Sequence, residues 1–151
     1  MMTGSGEGTL TDIKLDNTVE FTLSDKKMIS RITEVIDSNT IKVVCSFHGV
    51  YIWVICKLDG ICCANSKSEI QEEIDLSTEC VLFLKSILIE REFEIKFNSM
   101  DRFGKYIVEI DIQNESKDGG TTAIKDILIE KNYAYEYKGG KKLQFNQWNL
   151  P

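Results

Sequence analysis

Two stretches of β-branched and aromatic residues joined by a tight turn constrain the fold of this chain more than any other feature. Thr40 to Phe47 and Val50 to Leu58 are rich in residues that favour strands. His48 and Gly49 separate them, a spacing typical of a hairpin. A third, moderately alternating stretch, Lys27 to Val35, precedes them. The sequence therefore predicts a three-stranded meander, with His48 as an exposed turn residue that has no catalytic role.

The second half of the chain predicts two helices and two further strands. Apolar residues recur at helical spacing from about Glu72 to Ile89. Strands are predicted at Phe93 to Phe97 and Lys105 to Ile112, and a shorter helix at Thr122 to Lys131 follows a polar loop at Asn114 to Gly120. Together these elements predict an α+β fold, a five-stranded OB-type β-barrel with two or three packed helices. The helix macrodipole explains the acidic residues around the start of the first helix: Glu69, Glu72, Glu73 and Asp75.

Length and composition are those of a single soluble domain. The chain has 151 residues, of which 42% are hydrophobic and 28% charged, and its one proline is the last residue. No apolar run approaches the roughly 20 residues that span a bilayer, and the start lacks a secretion signal. We expect a flexible N-terminal arm over residues 1–16, the barrel domain over 17–142 and a C-terminal tail over 143–151.

Five cysteines without a secretion signal predict free thiols in an intracellular reducing compartment. Cys45, Cys56 and Cys80 lie within apolar patterns, where a small buried thiol is the expected role. The cysteines and the single histidine lack the paired C-x-x-C knuckles of structural zinc sites, so no metal is expected there. The adjacent Cys62 and Cys63 leave a redox or soft-metal role open.

Three short segments carry a family resemblance. They read V-I-D-S-N-T-I from Val35, K-L-D-G-I-C-C-A-N from Lys57 and D-R-F-G-K from Asp101. In order and approximate spacing they resemble the signature segments of the staphylococcal nuclease family, which typically read V-I-D-G-D-T, R-L-x-G-I-D-T-P-E and D-x-Y-G-R. The resemblance covers about residues 17 to 140, and the second segment carries most of its specificity. Thr18 to Phe21 and Tyr133 to Lys142 look like versions encoded by large DNA viruses.

The resemblance implies a nuclease fold without nuclease chemistry. In the family two aspartates hold a calcium ion, a glutamate orients the attacking water and two arginines bind the phosphate. The matching positions here are Asn39 and Cys62, then Asn65, then Lys57 and Lys105. An amide and a thiol are poor ligands for a hard cation, asparagine accepts no proton at neutral pH, and lysine lacks the guanidinium fork. We therefore expect no catalytic residue, a lost calcium site and no other cofactor.

Ligand binding without cleavage is a separate possibility. Aromatic residues interleaved with lysines can stack a base and contact its phosphate, and the resemblance places Tyr135 and Tyr137 near the tyrosines of the family's nucleotide pocket. The alternative is that these tyrosines belong to an edge segment that packs one face. A net charge of −6 and a pI near 4.9 also oppose phosphate binding. The nucleotide-pocket candidates are Arg102, Phe103, Tyr135, Tyr137, Lys141 and Lys142.

Three functional hypotheses follow. The leading one is a catalytically degenerate nuclease-like domain that serves as a structural or protein-interaction module, such as a component of a viral assembly, which would place it in a virion. The second is a pseudonuclease that binds nucleic acid. The third is a divergent phosphodiesterase acting on DNA or RNA, with Asp37, Asp59 or Glu69 as replacement ligands. A protein partner is favoured over nucleic acid, a membrane is not expected, and the oligomeric state is left open. The apolar tail offers the anchor for a partner unless it packs back onto the barrel: Leu143, Phe145, Trp148 and Leu150.

Overall fold

The computed structural model describes residues 10–19, 21–113 and 120–148. The helices are α1 (Gln71–Leu88) and α2 (Ile124–Glu130), and short 3₁₀ turns occur at Leu10–Asp12, Leu15–Asn17 and Phe145–Gln147. The strands are β1 (Lys26–Asp37), β2 (Thr40–Phe47), β3 (Val50–Leu58), β4 (Ile61–Cys63), β5 (Glu92–Met100), β6 (Tyr106–Gln113), β7 (Thr121–Ala123) and β8 (Ala134–Glu136). None of the helices in these ranges is long and apolar enough to cross a membrane.

Five strands close into a barrel. β1 pairs antiparallel with both β2 and β5, β2 pairs with β3, and β5 pairs with β6. The barrel closes where β3 runs parallel to β6, with Cys56 beside Tyr106 and Leu58 beside Val108. Two register irregularities in β1 bend this long strand so that it can pair on both sides. With α1 and α2 packed against it, the barrel confirms the predicted α+β, OB-type architecture.

The core lies inside the barrel, where each strand contributes alternate side chains. Ile32, Val43, Cys56, Ile95 and Val108 come from five different strands and are fully buried. Burial of one such aliphatic side chain contributes about 1.5 to 3 kcal/mol. From α1, the buried side chains Cys80, Leu84 and Leu88 close one end of this core, at the helical spacing seen in the sequence.

The structure confirms the meander and corrects the prediction around it. β2 and β3 have the predicted bounds, and His48, with φ 51°, is exposed at the turn between them. The predicted helix at 122–131 starts later, because Thr121–Ala123 pairs with β6 as β7. The short strands β4 and β8 were not predicted, and they pair with each other through Cys62 and Tyr135. The alternating tyrosines therefore lie in part on an edge strand, as the alternative interpretation stated.

The structure also bears on the predictions for the cysteines and for the N-terminal arm. All five cysteines are free, and the three in apolar patterns are buried, as predicted. The predicted arm contains the turns Leu10–Asp12 and, at its end, Leu15–Asn17. Residues 1–9, residues 114–119 of the predicted loop and residues 149–151, which include the proposed anchor Leu150, lie outside the described residues.

Candidate functional site

A polar cavity of about 330 Å³ lies where the β1–β2 turn, the start of the segment after β4 and the C-terminal segment meet. We call this cavity the cleft. Although they are far apart in sequence, all five positions matched to the family's functional residues line it: Asn39, Lys57, Cys62, Asn65 and Lys105. The barrel therefore brings together every residue of that set.

The β1–β2 turn is fixed by side chains on the cleft side. The Asp37 carboxylate accepts a hydrogen bond from the Asn39 backbone N–H at 3.0 Å. The Asn39 amide oxygen accepts one from the Thr40 hydroxyl at 3.1 Å, and the Asn39 carbonyl accepts one from the Leu58 N–H at 2.9 Å. Asn39 is therefore held between its own turn and the end of β3. One carboxylate oxygen of Asp37 is engaged by the backbone.

A buried serine joins this turn to the floor of the cleft. The Ser38 hydroxyl donates to the Ala64 carbonyl at 2.7 Å, while the Ser38 carbonyl accepts from the Cys80 thiol at 3.6 Å. Next to Ala64, the Cys63 thiol has a strongly raised pKa because it hydrogen-bonds to Cys80 and is partly buried, with further contributions from Cys62 and Asp37. A thiol that stays protonated is a weak nucleophile and a weak metal ligand.

Asn65 and the first turn of α1 form another wall. The Asn65 N–H donates to Glu73 Oε2 at 2.9 Å, and its side-chain oxygen accepts from the Lys67 N–H at 2.9 Å. Glu73 itself lines the cleft. The macrodipole interpretation placed Glu73 in the first turn of the helix, which is where it lies, but it missed this contact with a cleft residue.

Asp101 contacts two lysines that line the cleft, Lys57 and Lys105, which we call the barrel lysines. Its Oδ1 accepts from the backbone N–H groups of Phe103 at 2.8 Å and Lys105 at 3.0 Å, and its Oδ2 lies 3.9 Å from Lys57 Nζ. Burial alone would raise the pKa of Asp101, but those two N–H groups and the charges of Lys57 and Lys105 lower it below its ordinary value. The Asp101 carboxylate therefore stays ionised and attracts the Lys57 ammonium.

The C-terminal segment forms the outer wall of the cleft. The Tyr135 hydroxyl accepts a hydrogen bond from the Leu143 N–H at 2.9 Å, and the Trp148 ring packs edge-on against Tyr135 with centroids 5.0 Å apart. Lys142, Leu143 and Trp148 all line the cleft. Burial, followed by a hydrogen bond with Cys62, raises the pKa of Tyr135. This part of the tail thus packs back onto the barrel, which was the alternative to its role as a partner anchor.

The nucleotide-pocket candidates divide into two groups. Tyr135 and Lys142 line the cleft, and Tyr137 lines an adjoining cavity of about 490 Å³ that also contains Lys142. The Tyr137 hydroxyl donates to the Gly140 carbonyl. The remaining candidates lie outside both cavities: Arg102 and Phe103, which stack on each other at an exposed turn, and the exposed Lys141.

Two carboxylates line the cleft, and both accept hydrogen bonds from the backbone. A calcium ion takes six to eight oxygens, preferably several of them charged. The carboxylates lining the cleft are Asp37 and Glu73, and each already accepts a backbone hydrogen bond. Of the other replacement ligands, Asp59 lines the adjoining cavity and accepts from the Asn98 amide at 2.9 Å, and Glu69 lines neither cavity. Within the described ranges, no group of three or more His, Cys, Asp or Glu side chains is arranged to hold a metal ion.

Comparison with known proteins adds no family assignment. No protein-family model matches the chain, and no curated protein matches it either. The relationship to the staphylococcal nucleases is therefore a proposal that rests on the residues of the chain itself.

Proposed function

We propose that this chain is a nuclease-like OB domain that has lost phosphodiester hydrolysis and acts by binding, as a structural or protein-interaction module. One observation carries the proposal. Asn39, Cys62 and Asn65 converge in a single cleft, at the positions where the family carries its two metal-binding aspartates and its glutamate. Their shared location supports the resemblance, and the amide and thiol groups at these positions support the proposed loss of hydrolysis.

The groups around the cleft support anion binding better than they support activation of water. A general base needs a pKa near the working pH and a free lone pair within reach of the water. Asp37 and Glu73 each accept one backbone N–H, and the Cys63 thiol stays protonated. Lys57 and Lys105 retain the positive charge of the family's arginines without the paired donors that match a phosphate. The two lysines would therefore still attract an anion although the cleft would not catalyse hydrolysis.

The assembly role is favoured by apolar side chains on the outside of the barrel. Tyr51 and Trp53 on β3 and Ile29 on β1 are all largely exposed. Exposed aromatic side chains grouped on one face are typical of protein–protein interfaces. The net charge of −6 further favours a protein over a polyanion as the partner.

A second candidate function is binding of a phosphate-containing ligand in the cleft. Lys57, Lys105 and Lys142 line the cleft with Tyr135, and the same cavity holds two carboxylates. This local excess of lysine within an acidic chain is the observation that favours it. Because phosphate contacts release counterions, such binding should weaken steeply as salt is raised.

The leading proposal is tested with the purified chain, calcium, and labelled single-stranded DNA, duplex DNA and RNA. We expect no cleavage of any of the three. Cleavage that persists through purification and is abolished by Asp37→Asn with Asp59→Asn would contradict the proposal and favour a divergent phosphodiesterase.

The second candidate is tested by fluorescence anisotropy with a labelled oligonucleotide. Salt-sensitive binding that is weakened by Lys105→Ala and Lys142→Ala would support the cleft as the site. Lys141→Ala is the matched control, since Lys141 is exposed and lies outside both cavities. Equal losses in all three variants, or no binding at low salt, would contradict a cleft site.

A further inference from the structure

The outer surface of β1, β2 and β3 carries an apolar sheet face, formed by Ile29, Val44, Tyr51 and Trp53. Ile29 is 60% exposed, Tyr51 81% and Trp53 65%. Ile29, Val44 and Tyr51 line a shallow depression of about 610 Å³, and Trp53 lies beside it, directly across the strands from Val44. Tyr51 and Trp53 are two residues apart on one strand, so both side chains point to the same side of the sheet. Exposed apolar side chains grouped on one face in this way are typical of an interaction site.

The basic residues beside this face, Arg31 and Lys42, are already paired. Arg31 forms a salt bridge to Glu90 at 2.7 Å, and Lys42 forms one to Glu34 at 3.5 Å while its ammonium lies 4.8 Å from the centre of the Trp53 ring. A surface that binds nucleic acid through its backbone needs unpaired positive charge. An apolar centre whose rim has paired basic residues and the carboxylate of Glu92 instead resembles the anatomy of a protein–protein interface.

The segment that precedes the barrel provides a complementary surface. We call residues 10–19 together with Phe21 the N-terminal segment. Leu10 is 90% exposed, and Leu15 and Val19 are each 89% exposed, so these side chains do not pack on their own barrel. Phe21 packs edge-on against Phe47 with ring centroids 5.2 Å apart, which attaches the segment at the hairpin end of β2. The segment therefore ends close to the hairpin that presents Tyr51.

We propose that two copies of this chain associate by reciprocal docking, in which the N-terminal segment of each copy covers the apolar sheet face of the other. Such an exchange has twofold symmetry and uses each surface once per copy. An aromatic side chain buries about 150 to 250 Å², so Phe21, Tyr51 and Trp53 of both copies, at their observed exposure, supply roughly 600 to 1,000 Å². The aliphatic residues of the segment and face add to this, and the total reaches the roughly 1,200 Å² of a stable interface.

Added salt should affect the dimer and a nucleic-acid complex in opposite directions. Each copy carries a net charge of −6, so association must overcome like-charge repulsion. Added salt screens that repulsion and leaves apolar burial in place. Dimerisation should therefore hold or strengthen as salt is raised, whereas binding of an oligonucleotide to Tyr51 and Trp53 would weaken.

The test is sedimentation equilibrium of the full chain at micromolar concentration, at low and high salt. We expect twice the 17.2 kDa chain mass. Tyr51→Ser with Trp53→Ser should raise the dissociation constant at least tenfold, and Leu15→Ser with Val19→Ser should do the same. Leu82→Ser is the matched control, since Leu82 is 60% exposed on α1 and should leave the mass unchanged.

Mixing the two double variants tests the reciprocal geometry. The face variant keeps an intact segment and the segment variant keeps an intact face, so the mixture should recover a weaker dimer through one contact. A monomeric wild-type chain, a dimer unaffected by either pair of substitutions, or a mixture that stays monomeric would overturn the proposal. So would salt-sensitive oligonucleotide binding that depends on Tyr51 and Trp53.

A second readout does not depend on these variants. The chain has two tryptophans, so Trp148→Phe leaves Trp53 as the single reporter. Its emission should shift to longer wavelength on dilution as the face becomes exposed to water, and an unchanged spectrum at all concentrations would overturn the dimer. The inference is independent of the cleft, so its failure would leave the proposed loss of hydrolysis untouched.

Discussion

Replacing Asp101 by asparagine should loosen the turn that positions both barrel lysines of the cleft. The carboxylate accepts two backbone hydrogen bonds, from Phe103 and Lys105. Asparagine keeps an acceptor oxygen but loses the charge, and a hydrogen bond to a charged group contributes about 1 kcal/mol more than a neutral one. The expected loss is therefore about 2 kcal/mol in the free energy of unfolding near neutral pH. For a chain of this size that corresponds to a fall in Tm of roughly 4 to 8 °C. The partly exposed Lys57 pair, at 3.9 Å, adds little.

The loss should depend on pH in a defined direction. Burial acts to raise the pKa of Asp101, but the N–H donors of Lys105 and Phe103 and the nearby lysine charges lower it overall. A carboxyl whose pKa is lower in the folded state stabilises the fold fully above its unfolded pKa, about 3.9, and loses that contribution as pH falls through the folded value. The difference between wild type and Asp101→Asn should be constant near neutral pH and shrink toward zero in acid.

Urea unfolding at a series of pH values measures this difference. Asp111→Asn provides the control, because Asp111 is an exposed carboxyl on β6. A difference for Asp101→Asn that stays constant into acid, or an asparagine variant as stable as wild type at neutral pH, would show that the Asp101 charge does not hold this turn.

Two further predictions concern calcium and the tail. Millimolar calcium should leave the Tm unchanged, because we expect the chain to lack a calcium site. A ligand that binds only the native state, at a hundredfold excess over its Kd, would stabilise the fold by about 2.7 kcal/mol. A saturable rise in Tm would therefore reveal a set of oxygens that does form a site. Trp148→Ala should lower the free energy of unfolding by about 1 kcal/mol, the value of its aromatic pair with Tyr135, while circular dichroism shows an intact barrel. Deleting residues 144–151 should have a similar effect, and an unfolded truncation would mean that the tail belongs to the core.

The parts of the fold that follow from local sequence were predictable. β2 and β3 were placed correctly because β-branched runs on both sides of His48 and Gly49 fix a two-residue hairpin. β4 and β8 each have three residues, too few to show a period of two, and their pairing of Cys62 with Tyr135 joins distant parts of the chain. No local pattern encodes that contact.

The cleft was predictable only where a residue belonged to a recognised segment. Lys57 and Lys105 could be assigned to one site because the segments that contain them have a known order. Glu73 was missed because an acidic residue in the first turn of a helix already has a sufficient explanation in the macrodipole. The Trp148 ring contacts Tyr135 because the intervening residues turn the chain back onto the barrel. The sequence does not reveal that turn.

The apolar sheet face was missed for a different reason. Tyr51 and Trp53 alternate with Ile52 and Val54 along β3, so the sequence offers two apolar sides of one strand. Which side faces the core depends on the closure of β3 onto β6, a contact between residues about 50 positions apart. The exposed side therefore became visible only with the barrel.

The proposed loss of hydrolysis requires the cleft to be a nuclease-type site whose functional residues have been replaced. The most direct test restores them together: Asn39→Asp, Lys57→Arg, Cys62→Asp, Asn65→Glu and Lys105→Arg. We predict that the restored chain, unlike wild type, shows a saturable rise in Tm with calcium and calcium-dependent cleavage of labelled single-stranded DNA. A restored chain that folds like wild type, yet gains neither calcium stabilisation nor cleavage, would contradict the assignment of the cleft.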